Sequence, residues 1–234
     1  MISLVKKRLC FPRQLIIILA IIVLNITLSA QIAGVSANKL TLLSASILPE
    51  GTFEFEPAFS VTNSNNVFNE NWKSIKQDGR NTSSSLDFRM TAGLTEHLEI
   101  GTSISSSIED INFGAKYLLF SNDDLDIALS GGASLPAGNK FVADSSLSSE
   151  YVYTASFGPV LSYNISETNS IDIVLSYTTA LGKSSFNDQL YAGLGWGYSV
   201  RDNLQLVLEL AGYGCIDQEL CSGKLSLFPG ITYN

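Results

Sequence analysis

From residue 52 to the end of the chain, apolar and polar side chains alternate in segment after segment, the period-two signature of strands with one apolar face. Ten such segments occupy 52–62, 84–95, 98–108, 110–120, 125–135, 151–163, 170–181, 189–200, 204–213 and 224–233. Most approach the roughly 9–11 residues that carry a tilted strand across a bilayer. In the first, Phe53, Phe55, Pro57, Phe59 and Val61 share a face, opposite Glu54, Glu56, Ala58 and Ser60. In the second, Leu86, Phe88, Met90, Ala92 and Leu94 oppose Asp87, Arg89, Thr91 and Gly93. The eighth sets Leu190, Ala192, Leu194, Trp196, Tyr198 and Val200 against Tyr191, Gly193, Gly195, Gly197 and Ser199. The fold class expected is all-β, an antiparallel up-and-down transmembrane β-barrel with about ten visible strands.

Periodicity alone would also fit a soluble lipocalin-like barrel, so the choice between core and lipid rests on three other features. Connectors alternate: about twenty residues (63–83) follow the first strand and 136–150 forms another long segment, while tight turns fall at 95–97, 121–124 and 200–203. Tyr117, Tyr163, Tyr198 and Tyr233 all stand near the ends of even-numbered strands, on the short-turn side, where they would form an interfacial girdle. The third feature is an export signal with no other long apolar segment, which leaves a closed barrel as the lipid-spanning solution.

That signal is the N-terminal region. Lys6, Lys7, Arg8 and Arg13 precede an apolar run from 15 to 24, with small residues at Ser29 and Ala30. Cleavage is expected after Ala30, with Ala37 the other acceptable site. An uncleaved anchor is the alternative, although the run is shorter than the roughly 20 residues a spanning helix uses. The organisation expected is a signal peptide at 1–30, an N-terminal periplasmic segment at 31–51 and the barrel at 52–234, lacking its C-terminal hairpin on one reading.

Setting the signal aside sharpens the charge. All 22 Asp and Glu lie beyond Ala30 and ten of the 14 Lys and Arg remain, a net charge of −12. Nucleic acid and other polyanions are excluded as partners. Cys10 precedes the apolar run, leaving Cys215 and Cys221. In an exported chain these read first as a small-loop disulfide, and a structural metal would want four ligands. No metal or cofactor is expected. His97, the single histidine, falls in a short turn with no orienting partner in view, so a serine hydrolase or acyltransferase barrel is rejected and no catalytic residue is assigned.

With the apolar face toward lipid, the inward charged set is Glu54, Glu56, Asp87, Arg89, Glu99, Asp110, Lys116, Asp126, Asp172, Glu209 and Lys224. These are the candidate lumen-lining residues, because a mid-strand charge facing lipid would cost up to a few kcal/mol. The competing account is structural: Arg89 and Lys116 neutralise buried acids such as Glu54 or Asp87 in a plugged barrel, narrower than the porins. Gly193, Gly195 and Gly197 leave room on the inner wall or mark bends.

Three stretches carry a resemblance. Leu48-Pro49-Glu50-Gly51-Thr52-Phe53-Glu54-Phe55-Glu56-Pro57, Asp110-Ile111-Asn112-Phe113-Gly114-Ala115-Lys116-Tyr117 and Phe228-Pro229-Gly230-Ile231-Thr232-Tyr233-Asn234 make residues 48–234 similar to the outer-membrane β-barrel transporter family named for the MetA pathway of phenol degradation. The resemblance implies a cell outer-membrane channel for small organic solutes, aromatic ones included, in a Gram-negative bacterium. It also implies one further hairpin, twelve strands in all. Expected partners are outer-membrane lipid, the barrel assembly machinery and a small-molecule solute. The alternative is a non-conducting barrel that presents its Asn-, Ser- and Gly-rich loops as an adhesin does.

Overall fold

The computed structural model describes residue 35 and residues 41–68, 74–108, 110–137, 152–182, 188–201, 203–216 and 224–233. Ten strands account for most of them: β1 (Phe53–Phe68), β2 (Ser74–Thr95), β3 (Leu98–Ser105), β4 (Asp110–Ser121), β5 (Leu125–Pro136), β6 (Thr154–Ser166), β7 (Asn169–Ala180), β8 (Gln189–Arg201), β9 (Leu204–Cys215) and β10 (Lys224–Tyr233). They form one sheet in chain order, every neighbouring pair antiparallel. The expected all-β up-and-down architecture is thus present. Among the described residues β1 and β10 do not pair with each other, so the expected closure of the barrel is not made and the ladder is open.

Strand boundaries depart most from the reading of the sequence in the first three strands. The long polar connector expected at 63–83 is largely strand: β1 and β2 run on together through Asn63↔Thr82, Ser64↔Asn81, Asn66↔Lys76 and Phe68↔Ser74. The sequence there is rich in Asn, Ser and Thr and shows no apolar–polar alternation to mark the extension, yet main-chain pairing needs none. At the other extreme β3 stops at Ser105, short of the expected 108, and Ile108 adopts φ 51°, a left-handed conformation that a β-branched residue rarely takes. The expected loop at 136–150 lies almost wholly outside the described residues.

The two faces of the sheet differ as the alternation demands, but with the apolar side outward. Phe53, Phe55, Phe59, Leu194, Trp196, Leu208, Leu225 and Ile231 are exposed, Phe59 to 72%. In the register Tyr117, Tyr163, Tyr198 and Tyr233 stand opposite Leu98, Leu125, Asn169 and Leu204, in each case the first residue of the preceding odd-numbered strand. Tyr117, Tyr163 and Tyr198 are exposed, so they form a row at one height on the apolar face, next to the short turns.

The opposite face is covered by residues 41–48, hereafter the strap, which belong to the 31–51 segment that the sequence places ahead of the barrel. Leu42, Leu43, Ser44 and Ala45 are all buried. Leu42, Leu43 and Ala45 cluster with Val35 and with one residue from each of six successive strands: Ala128, Val160, Val174, Tyr191, Ala211 and Phe228. Burying a leucine contributes about 1.5–3 kcal/mol, so this cluster is the main apolar tie between strap and sheet.

The strap also shows that the sheet is curved. Thr41 bonds to β9 and Ser44 to β4. Five strand spacings would separate those partners by about 24 Å in a flat sheet, whereas three residues reach at most about 11 Å. Side chains stand roughly perpendicular to a sheet, so on a flat one the Lys116 and Glu209 side chains would not close that gap, and the strands curl around the strap instead.

Candidate functional site

Irregular backbone on the inner face of a sheet needs hydrogen-bond partners as much as a helix end does, and the wall supplies them from side chains. The Glu209 carboxylate, fully buried, accepts the Thr41 N–H (3.1 and 3.0 Å to its two oxygens), the Leu42 N–H (3.3 Å) and the Thr41 hydroxyl (2.5 Å). Lys116 Nζ donates to the Ser44 carbonyl at 2.8 Å. The Ala45 N–H donates to Ser162 Oγ at 2.8 Å, and that hydroxyl donates to Asp172 Oδ1 at 2.5 Å. Finally the Leu48 N–H donates to Glu99 Oε2 at 2.9 Å. Alternation puts each of these wall side chains on the inner face, and the curl brings β3, β4, β6, β7 and β9 to one short peptide.

Lys116 and Glu99 also pair with each other, Nζ to Oε1 at 3.1 Å, both side chains at 0% exposure. They are register partners across β3 and β4, so the pair is set by pairing of neighbouring strands and does not depend on the strap for its geometry.

Two glycines make room for the strap. A Cβ at Gly193 would lie 2.3 Å from Leu42 Cδ2, and one at Gly93 would lie 2.3 Å from the Pro49 carbonyl oxygen and 2.5 Å from that of Leu48. Close approach at Gly93 lets the chain leave the strap and dock by Gly51 N–H to the Gly93 carbonyl (2.9 Å) and Gly93 N–H to the Thr52 carbonyl (3.0 Å). Gly51 makes this turn with φ 75°, where a Cβ would be strained.

Of the expected inward charges, Glu99, Lys116, Asp172 and Glu209 are buried beneath or beside the strap. Glu54, Glu56 and Arg89 form a separate cluster on β1 and β2: Arg89 donates to Glu56 and lies 3.8 Å from Glu54. Asp126 accepts from the Ser121 hydroxyl at 2.6 Å. Asp87 pairs in register with Ser105, Asp110 with Pro136 and Lys224 with Tyr213, which continues the same parity. Arg89 thus pairs with two acids that keep partial exposure, whereas Lys116 pairs with the wholly buried Glu99. Cys215 is disulfide-bonded, and Cys221 lies outside the described residues. His97 is exposed in the β2–β3 turn, its ring 6.3 Å from that of Tyr117.

Toward the short-turn end the inner face opens into a cavity of about 300 Å³ lined by polar groups, among them Ser46 of the strap, Asp126, Asn164, Glu167, Asn169 and Asp172. Among the described residues its lining contains three carboxylates and no basic side chain. Sequence reasoning missed the strap altogether. Thr41, Leu42, Ser44, Ala45 and Leu48 have no strand period, because the strap runs across the strands instead of along one, and they lie in the 31–51 segment expected to precede the barrel. The one available signal was the glycine-rich inner face of β8, which requires something to approach it. Compared with known proteins, the chain matches no family model and no curated protein, so what this site does has to be argued from its own geometry.

Proposed function

We propose that the chain is an exported outer-membrane β-barrel that lets small organic solutes pass passively along its polar face, and that it is not an enzyme. The observation that carries this reading is the inversion of the two faces: Phe59 and Leu225 are 72% and 64% exposed while Glu99, Lys116 and Glu209 are wholly buried. A water-soluble protein would be expected to hide its apolar residues, and contiguous exposed apolar surface of this extent calls for a membrane. The tyrosine row at the height of the short turns supports the same orientation, with that end toward the periplasm. The resemblance to the family named for the MetA pathway supports organic, including aromatic, solutes as the cargo, and outer-membrane lipid and the assembly machinery as partners.

Single-channel conductance of the refolded protein in a planar bilayer tests the proposal. Discrete steps whose size changes in Glu56→Ala or Arg89→Ala are expected. The strap is the specific observation that favours a second reading, a barrel that stays shut and presents its loops. Folded, heat-modifiable protein that never conducts under any condition would replace the first reading by the second.

A further inference from the structure

We propose that the strap sits in a solute-binding site as an internal stand-in for the solute, and that the site takes small organic molecules with an apolar body and an N–H-bearing, preferably cationic, head. This rests on the channel reading above. What the strap offers the wall is a chemical description of what the wall recognises. Its head is the Thr41-Leu42 backbone, whose two N–H groups and one hydroxyl converge on the Glu209 carboxylate. Its body is the pair of leucine side chains and Ala45, packed on Val160, Val174, Tyr191, Ala211 and Phe228.

Among the described residues Glu209 has no basic side chain as partner, and its hydrogen bonds come from the strap. A carboxylate at 0% exposure that relies on neutral N–H and O–H donors is a better partner for an ammonium group, because a charge-assisted bond is about twice as strong as a neutral one. Glu99, by contrast, already holds Lys116 and has little to offer a cation. The route to the site has the matching sign. The cavity at the short-turn end carries Asp126, Glu167 and Asp172, and Asp172 is joined to the strap through the Ser162 hydroxyl, so an entering cation meets carboxylates up to the strap itself.

Release of the strap costs the wall little of its own structure, since the ladders from β3 to β9 are made strand to strand and, among the described residues, wall side chains and apolar contacts hold the strap. Gly193 adds to this, because the atom it admits is the end of the Leu42 side chain and not backbone.

The test is solute flux into proteoliposomes of the full chain, read by swelling, with phenethylammonium and phenylacetate as probes of like body and opposite head. Wild type is compared with Leu42→Asp/Leu43→Asp, which places charge beside Glu209 and in the apolar cluster, and with Gly193→Leu, which fills the Leu42 site from the wall. Heat-modifiable migration checks folding of each. Both variants are expected to admit phenethylammonium several-fold faster than wild type and faster than phenylacetate. Adding Glu209→Gln to Gly193→Leu, which brings in no new charge, is expected to cut that preference sharply while flux persists. Equal flux in wild type and both variants, or no preference between the probes, would overturn the inference and leave the channel intact. Folded protein that admits neither probe in any variant would sink the channel reading with it.

Discussion

Two ion pairs on the same face of the sheet, built from the same alternation, sit in opposite surroundings. Arg89 with Glu54 and Glu56, on β1 and β2, retains 19% side-chain exposure against 38% and 44% for the two acids. Lys116 and Glu99, on β4 and β3, retain none. The strap makes the difference: it covers the second pair and accepts or donates a hydrogen bond at each member, through the Ser44 carbonyl and the Leu48 N–H. Position within the strand pattern therefore assigns a charge to a face, but what crosses that face decides whether the charge is a hydrated wall group or part of a packed interior.

The largest effect should come from breaking the covered pair. Lys116→Met leaves Glu99 buried without its cation and is expected to cost about 3–5 kcal/mol in denaturant unfolding from detergent. Lys116→Met/Glu99→Met should recover much of that loss, because two apolar side chains of similar size leave no uncompensated charge. If the double variant were as unstable as the single one, the pair would not be the source of the cost.

Next in size is Gly93→Val. Its Cβ would meet backbone carbonyls of Pro49 and Leu48 that cannot rotate away, so a loss of about 1–3 kcal/mol is expected, together with faster proteolysis of the strap. Gly51→Ala should loosen the same turn less, since nothing lies near its Cβ and only the positive φ opposes it. Resistance of the Gly93 variant equal to wild type would mean the strap docks without that close approach.

Arg89→Ala removes the half-exposed pair and should shift stability by about 0–1 kcal/mol, with the effect shrinking as salt rises. A loss matching that of Lys116→Met would erase the distinction between the two pairs.

The smallest effect belongs to Asp188, outside the strands at the other end of the sheet from the tyrosines. The Tyr177 hydroxyl, and after it Thr179, hold its carboxyl below the ordinary carboxylate value. A depressed folded value stabilises the fold above the unfolded carboxylate's titration and loses that contribution as pH falls through the folded one. Asp188→Asn should therefore lower the unfolding midpoint slightly at neutral pH and match wild type in strong acid. A difference that grew in acid would contradict the assignment.

Much of this protein was decided by the order of its residues. The ten strands, their antiparallel order and the face on which Glu54, Glu99, Lys116 and Glu209 lie all follow from a period of two, since successive side chains on a strand have only two directions to point. Tyr117, Tyr163 and Tyr198 share a level because each is placed the same way before a short turn.

The β1–β2 extension was not legible, because its polar sequence carries no period. The strap was hidden for a different reason. Its partners, Glu209, Ser162, Lys116 and Glu99, lie up to 168 residues away in the chain and become neighbours only when the sheet curls. A strand's own sequence fixes which way its side chains point, whereas what they meet across an enclosed space depends on curvature, and curvature is a property of all ten strands together.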